Sequence, residues 1–107
     1  MNYITTYRQY LTIEKGASIR TVASYCNDVT SLIESGNISD FDKPADEPNW
    51  DLIVDSKHLI RNHLAYLRNQ NMSKATIARK LSSFRSFFNF LLKTERIKSL
   101  PATLSGQ

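Results

Sequence analysis

Two stretches of this chain open with the same pattern, Ser18-Ile19-Arg20-Thr21 and Ser73-Lys74-Ala75-Thr76. A serine at a helix start accepts a hydrogen bond from a first-turn N–H, and a threonine at the third helical position adds a second hydroxyl beside it. Capping alone accounts for the serines. It does not account for Arg20 and Lys74, because the positive end of a helix dipole favours an acid in the first turn. A cation is tolerable there when an anion sits between it and the free N–H groups. Phosphate is the obvious candidate, since helix N-termini with hydroxyls and basic neighbours bind phosphate.

The helix that begins at Ser73 carries a second chemical signal. At about 100° per residue, Ala75, Arg79, Ser82 and Ser86 fall on the side away from Leu81 and Phe84, with Thr76 and Ser83 at its edge. Small and hydroxyl-bearing residues around one guanidinium can approach a DNA backbone or enter a major groove closely. A merely solvated helix face more often carries Glu and Lys in i,i+4 pairs, and this helix has no Glu before Glu95. On the helix beginning at Ser18, the residues Arg20, Ser24, Asn27 and Ser31 form a similar polar strip, with Asp28 close to it.

Other chemistry is poorly provided for. His58 and His63 are five apart and no cysteine or acidic cluster completes a metal site with them. There is no glycine-rich phosphate loop, no Cys–His pair at useful spacing and no H-E-x-x-H. The tyrosines Tyr3, Tyr7, Tyr10, Tyr25 and Tyr66 lie in helical segments without a surrounding cluster of Arg and His, so none reads as a nucleophile. Tyr7 and Tyr25 read as core. Neither a catalytic residue nor a metal, cofactor or small-molecule substrate is expected of these residues.

The elements that must position the two helix starts are all helical. Ile4, Tyr7 and Leu11 step by three and four, and Gly16 follows as a stop. Val22, Tyr25/Cys26, Val29 and Leu32/Ile33 form one stripe after Ser18, ended by Gly36. Leu59, Ile60, His63, Leu64 and Leu67 point inward from a third helix. Ile77, Leu81, Phe84, Phe88 and Leu91 form an uninterrupted stripe on the fourth. Phe90 lies opposite that stripe, where the first helix, a further domain or a neighbouring subunit could cover it. The spacing predicts helices over about 2–15, 18–35, 56–70 and 73–94, with an acidic loop at 37–55 that contains Pro44 and Pro48. No strand alternation occurs. The fold class expected is therefore all-α, a compact four-helix bundle with one long loop between its second and third helices.

At 107 residues, with 41% hydrophobic and 22% charged side chains, the chain has room for one domain and one core. No apolar run approaches the roughly 20 residues that cross a membrane, and the N-terminus lacks the features of a signal peptide. The single cysteine, Cys26, fits a reducing cytoplasm. The net charge of +4 hides an uneven distribution: residues 1–36 are neutral, 37–56 carry −5, and 57–107 carry +9. So one-sided a block points to an anionic partner, nucleic acid before a membrane surface, with a solvated lysine-rich surface as the alternative.

At these residues the sequence resembles a known family. The run Ser18-x-x-Thr21-x-x-x-Tyr25 is similar to the start of a helix in the core-binding domain of tyrosine recombinases and phage integrases. The run Ser73-x-x-Thr76-x-x-Arg79-x-x-Ser82-x-x-Arg85-x-Phe87-Phe88-x-Phe90-Leu91 resembles the last helix of that domain, and Pro101 matches the link that follows it. Xer-type chromosome-dimer resolvases look nearest. The resemblance covers the chain apart from the acidic loop. It implies a SAM-like core-binding domain over 1–100, with 101–107 beginning a linker to a catalytic domain that lies outside this sequence. It further implies that this arm of a site-specific recombinase is not itself an enzyme and grips duplex DNA from one side. Carried over by position, Arg20, Thr21 and Ser24 would act from the second helix, and Ser73, Lys74, Thr76, Arg79, Ser82 and Ser83 from the fourth. For Arg85 an internal ion pair and a DNA contact stay equally open. Partners implied are duplex DNA and, in the full-length protein, other recombinase subunits. The competing reading is a helical protein-interaction module that uses the basic half on an acidic partner.

Overall fold

A computed structural model describes residues 3–35 and 59–101. The acidic loop 37–55 and the segment expected to begin a linker after Pro101 lie outside the described residues, apart from Pro101 itself. Four helical segments make up the described chain, and no strand occurs among these residues. They are α1 (Tyr3–Gln9), continued by a π-helical turn over Tyr10–Glu14, then α2 (Ile19–Ser35), α3 (Leu59–Asn69) and α4 (Lys74–Lys93).

The first helix departs from the regular spacing read in the sequence. The Thr12 hydroxyl donates to the Arg8 carbonyl at 2.9 Å, competing with the backbone bond that an α-helix would place there. The turn widens, and the Lys15 N–H reaches the Tyr10 carbonyl, five residues back, at 3.2 Å. As a result Tyr7, Tyr10 and Leu11 are all buried, where the simple period marks only Tyr7 and Leu11.

Among the described residues, the first helix, α3 and α4 are each stopped by one residue in the left-handed region. Gly16 has φ +60° and open space where a Cβ would lie, so backbone conformation alone favours glycine there. Asn71, with φ 60°, ends α3, and its N–H and that of Met72 satisfy the carbonyls of Arg68 and Leu67. Glu95 ends α4 with φ 63°; the Arg96 N–H bonds the Leu91 carbonyl at 2.8 Å and the Glu95 N–H bonds that of Leu92 at 3.1 Å. This is the paired-bond stop in which glycine is the usual residue. Glu95 bears a Cβ penalty there and sets a negative charge at the negative end of the dipole. Glu95→Gly is therefore expected to stabilise the domain by about 1 kcal/mol, raising Tm by roughly 4–8 °C. A lower Tm in thermal unfolding would contradict this reading of the stop.

The core is centred on α4, which is buried on two sides. Phe84, Phe88 and Leu91 belong to the stripe that faces the remaining helices, and Ile77 and Leu81 pack partly buried at its start. The second side carries Phe87 and Phe90 against the first helix. Phe90 is 1% exposed, with its ring 5.4 Å from Tyr7 and 5.1 Å from Tyr10. Of the coverings left open for Phe90, the first helix is the one found. Contacts run in step along the two helices, Tyr3 with Phe87, Tyr7 with Phe87 and Phe90, Tyr10 with Phe90, and Glu14 with Lys93. The first helix and α4 are therefore parallel. Val22, Cys26, Val29, Leu32 and Ile33 supply the α2 face, and Ile60, His63, Leu64 and Leu67 that of α3. Beyond Glu95 the chain folds back, burying Ile97 and Pro101.

Candidate nucleic-acid interface

The two helix starts are built alike. Ser18 Oγ accepts from the Thr21 N–H at 3.2 Å and donates to Thr21 Oγ1 at 3.1 Å. Ser73 Oγ accepts from the Thr76 N–H at 3.1 Å and donates to Thr76 Oγ1 at 3.0 Å. In each, the serine satisfies one first-turn donor, while the N–H groups of the first two helical residues have no acceptor within the helix. The threonine oxygen is held by the serine proton, which leaves its own O–H to donate outward. Arg20 and Lys74 are exposed beside these donors, and neither forms an ion pair among the described residues.

Along α4, Ala75, Ala78, Arg79 and Ser82 are exposed. Arg79 does not project freely. Its Nη2 donates to Asp28 Oδ1 of α2 at 3.0 Å, while its side chain remains 46% exposed. Asp28 is 2% exposed and also accepts from Lys80 Nζ at 2.8 Å on the same oxygen and from Ser83 Oγ at 2.7 Å on the other. A buried carboxylate thus meets two cations and a hydroxyl, which satisfies it and locks α2 to α4.

The expectation for Ser83 is corrected by this cluster. Ser83 is fully buried and its hydroxyl is donated to Asp28, so it does not belong to the exposed face. Ser86, also assigned to that face by period, is half-buried and accepts from the Tyr7 hydroxyl at 2.9 Å. The side of α4 that looks polar in sequence is thus partly an interior polar seam. Arg20, Ser73, Lys74, Arg79 and Ser82 are exposed, and Thr21, Ser24 and Thr76 are half-exposed. Arg85 is half-buried, its Nε has no hydrogen-bond partner, and it forms no ion pair among the described residues. Among the described residues, no hydrogen bond or ion pair joins the Arg20-Thr21-Ser24 group to the Lys74–Arg79 group; Asp28 is a polar link between their helices. Period arguments place Asp28 near the α2 strip but do not reveal that Lys80 and Ser83 converge on it.

The remaining titratable groups are set for packing. Burial drives the Tyr7 phenol far above its ordinary pKa, which keeps it protonated and unsuited to attack. Burial likewise raises the Cys26 thiol, opposed by Arg8. His63 is held below the usual histidine value, first by burial and then by the Lys80 charge, so it is neutral between Phe84 and Tyr66. No group of three metal-ligating side chains occurs among the described residues, and no described helix is long and apolar enough to cross a membrane.

Comparison with known proteins follows from this arrangement of helices and caps. The family described as "Phage integrase, N-terminal SAM-like domain" matches residues 4–95, most of the chain. The chain belongs to that family. This SAM-like domain is 38% identical over 103 residues to a tyrosine recombinase XerC of Natranaerobius thermophilus, covering 96% of the chain and 32% of the relative. A tyrosine recombinase XerD of Oceanobacillus iheyensis is 36% identical over 99 residues, 92% of the chain and 31% of the relative. A XerC of Thermodesulfovibrio yellowstonii is 36% identical over 100 residues, 94% of the chain and 29% of the relative. The SAM-like domain therefore spans about a third of the length of these relatives. No solved structure matches it.

Proposed function

We propose that this SAM-like domain is the arm of a cytoplasmic site-specific tyrosine recombinase that grips duplex DNA through α2 and α4. The observation that carries the reading is the exposed Arg79 guanidinium, anchored through Nη2 to Asp28 and surrounded on α4 by the small residues Ala75, Ala78 and Ser82. A helix face so trimmed can come close to a phosphate backbone or a major groove. Lys74 and Thr76 at one helix start, and Arg20, Thr21 and Ser24 at the other, would add charge-assisted and hydroxyl contacts to flanking phosphates. Ser82 and the Ser73 cap would line the approach, and Arg85 would remain secondary because it is half-buried. Strand cleavage and joining we place in a catalytic domain of the longer parent, along with contacts to other recombinase subunits. The relatives named tyrosine recombinases, and the +9 charge of residues 57–107, support this reading.

Three cationic contacts, from Arg20, Lys74 and Arg79, would make log K fall with log[salt] at a slope of about −3, since each phosphate contact contributes about −0.9. Between 50 and 200 mM salt that amounts to a loss of roughly forty-fold. Arg79→Ala is expected to weaken low-salt binding about tenfold and flatten the slope by about one. Fluorescence anisotropy on a labelled duplex across a salt series measures both. Unchanged affinity and slope would remove Arg79 from the interface.

One observation favours a second reading. An apolar groove of about 580 Å³, lined by Met72, Ile77, Ala78 and Leu81 and edged by Arg68 and Lys74, opens beside the α4 start. A helical protein-interaction module would use such a groove with its basic rim. The uncharged Met72→Ser would weaken partner capture under that reading and leave duplex binding close to wild type under the first.

A further inference from the structure

We propose that Asp28 is the positioning residue that presents Arg79 to the DNA backbone; this rests on the DNA-binding reading above and deepens it. Asp28 holds both cations on one oxygen, Arg79 Nη2 at 3.0 Å and Lys80 Nζ at 2.8 Å, and takes the Ser83 hydroxyl on the other at 2.7 Å. One negative charge against two positive ones leaves the cluster with a net charge of +1. The location of that surplus is decided by exposure: the Lys80 side chain is 13% exposed and that of Arg79 is 46%. Lys80 thus neutralises Asp28 from the inside, and the unbalanced cation at the surface is Arg79.

The geometry of the guanidinium completes the device. It carries five N–H donors in a rigid planar fork. Asp28 takes one, at Nη2, and the others remain for an anion. A free surface arginine must give up its rotamer freedom when it binds phosphate, whereas a tethered one has given it up on folding. The tether reaches across helices, so Arg79 is fixed relative to α2 as well as to its own α4. The small neighbours Ala75, Ala78 and Ser82 leave the outward side of the fork open.

The test separates positioning from simple bracing. Asp28→Ala together with Lys80→Met leaves net charge unchanged and removes both the acceptor of Arg79 and the buried cation beside it, so Arg79 is released without stranding a buried charge. In the 107-residue chain this pair is expected to lower low-salt affinity for a labelled duplex several-fold while leaving the salt slope near that of the unsubstituted chain, because the Arg79 charge is kept and only its ordering is lost. Added to Arg79→Ala, the same pair should change affinity by less than twofold. Wild-type affinity in the paired variant, or equal losses with and without Arg79, would overturn the proposal. A second readout needs no variant: ¹⁵N relaxation of the Arg79 Nε–H in the free chain should show the rigidity of the backbone. Mobility like that of exposed Arg61 would also overturn it. Duplex binding by the parent chain that ignores Arg79→Ala overturns the positioning role alone. An absence of duplex binding by the parent at low salt overturns the DNA reading itself.

Discussion

Replacing Phe90 by alanine is expected to destabilise the domain by about 3–5 kcal/mol, the range for emptying a buried phenylalanine site. The ring is 1% exposed and is the junction between the first helix and the second buried side of α4. It meets Tyr7 at 5.4 Å, Tyr10 at 5.1 Å and Phe87 at 6.2 Å, with the Arg96 guanidinium 5.6 Å over its face. Truncation removes the shared partner of an aromatic cluster whose other rings are carried by two packed helical segments, Tyr7 and Tyr10 on the first and Phe87 on α4, and cannot all move inward. Set against a typical total of about 5–15 kcal/mol, the loss leaves a marginal domain. Urea unfolding followed by circular dichroism measures it. Leu92→Ala, at a site 36% exposed on the same helix, is the control and should cost well under half as much. A Phe90→Ala loss below about 1 kcal/mol would mean that the first helix does not dock as described.

Asp28→Ala is the second large effect, expected at about 3–5 kcal/mol, because breaking a buried pair from one side leaves a charge behind. The three partners do not suffer equally. Arg79 is half-exposed and can swing to water, and Ser83 can still donate to the Arg79 carbonyl at 3.2 Å. Lys80, with its side chain 13% exposed, has neither escape. Most of the cost therefore belongs to Lys80, which gives a sharp check. Adding Lys80→Met to Asp28→Ala should recover a large part of the loss, since a paired removal replaces ions by apolar volume. Additive losses in the two variants, read by urea unfolding, would show that Lys80 is not paired through Asp28.

What was legible in the sequence was what local physics decides. The Ser18 and Ser73 caps, the Gly16 stop and the stripe through Phe84, Phe88 and Leu91 each follow from a few neighbouring residues. The resemblance to the integrase core-binding domain drew on the same local motifs. Three features were not legible, for one reason: they depend on which helices meet. Thr12 widens the first helix through a side-chain bond to Arg8, so Tyr10 joins the core against the simple period. α4 buries two sides rather than one, and helical period alone cannot say whether Phe90 finds a neighbour. Ser83 looks like a small polar surface residue, and only the arrival of Asp28 from α2 turns it into a buried donor. The exposed Arg79 was visible from its neighbours in α4; its anchorage was not.

The central claim, that the exposed cations of α2 and α4 hold a duplex backbone, is tested most directly by duplex affinity of this chain measured from 50 to 200 mM salt. The account predicts binding at low salt, a slope of log K against log[salt] of about −3, and a flatter slope by about one in Arg79→Ala. No binding at low salt, or an affinity indifferent to salt, would contradict it.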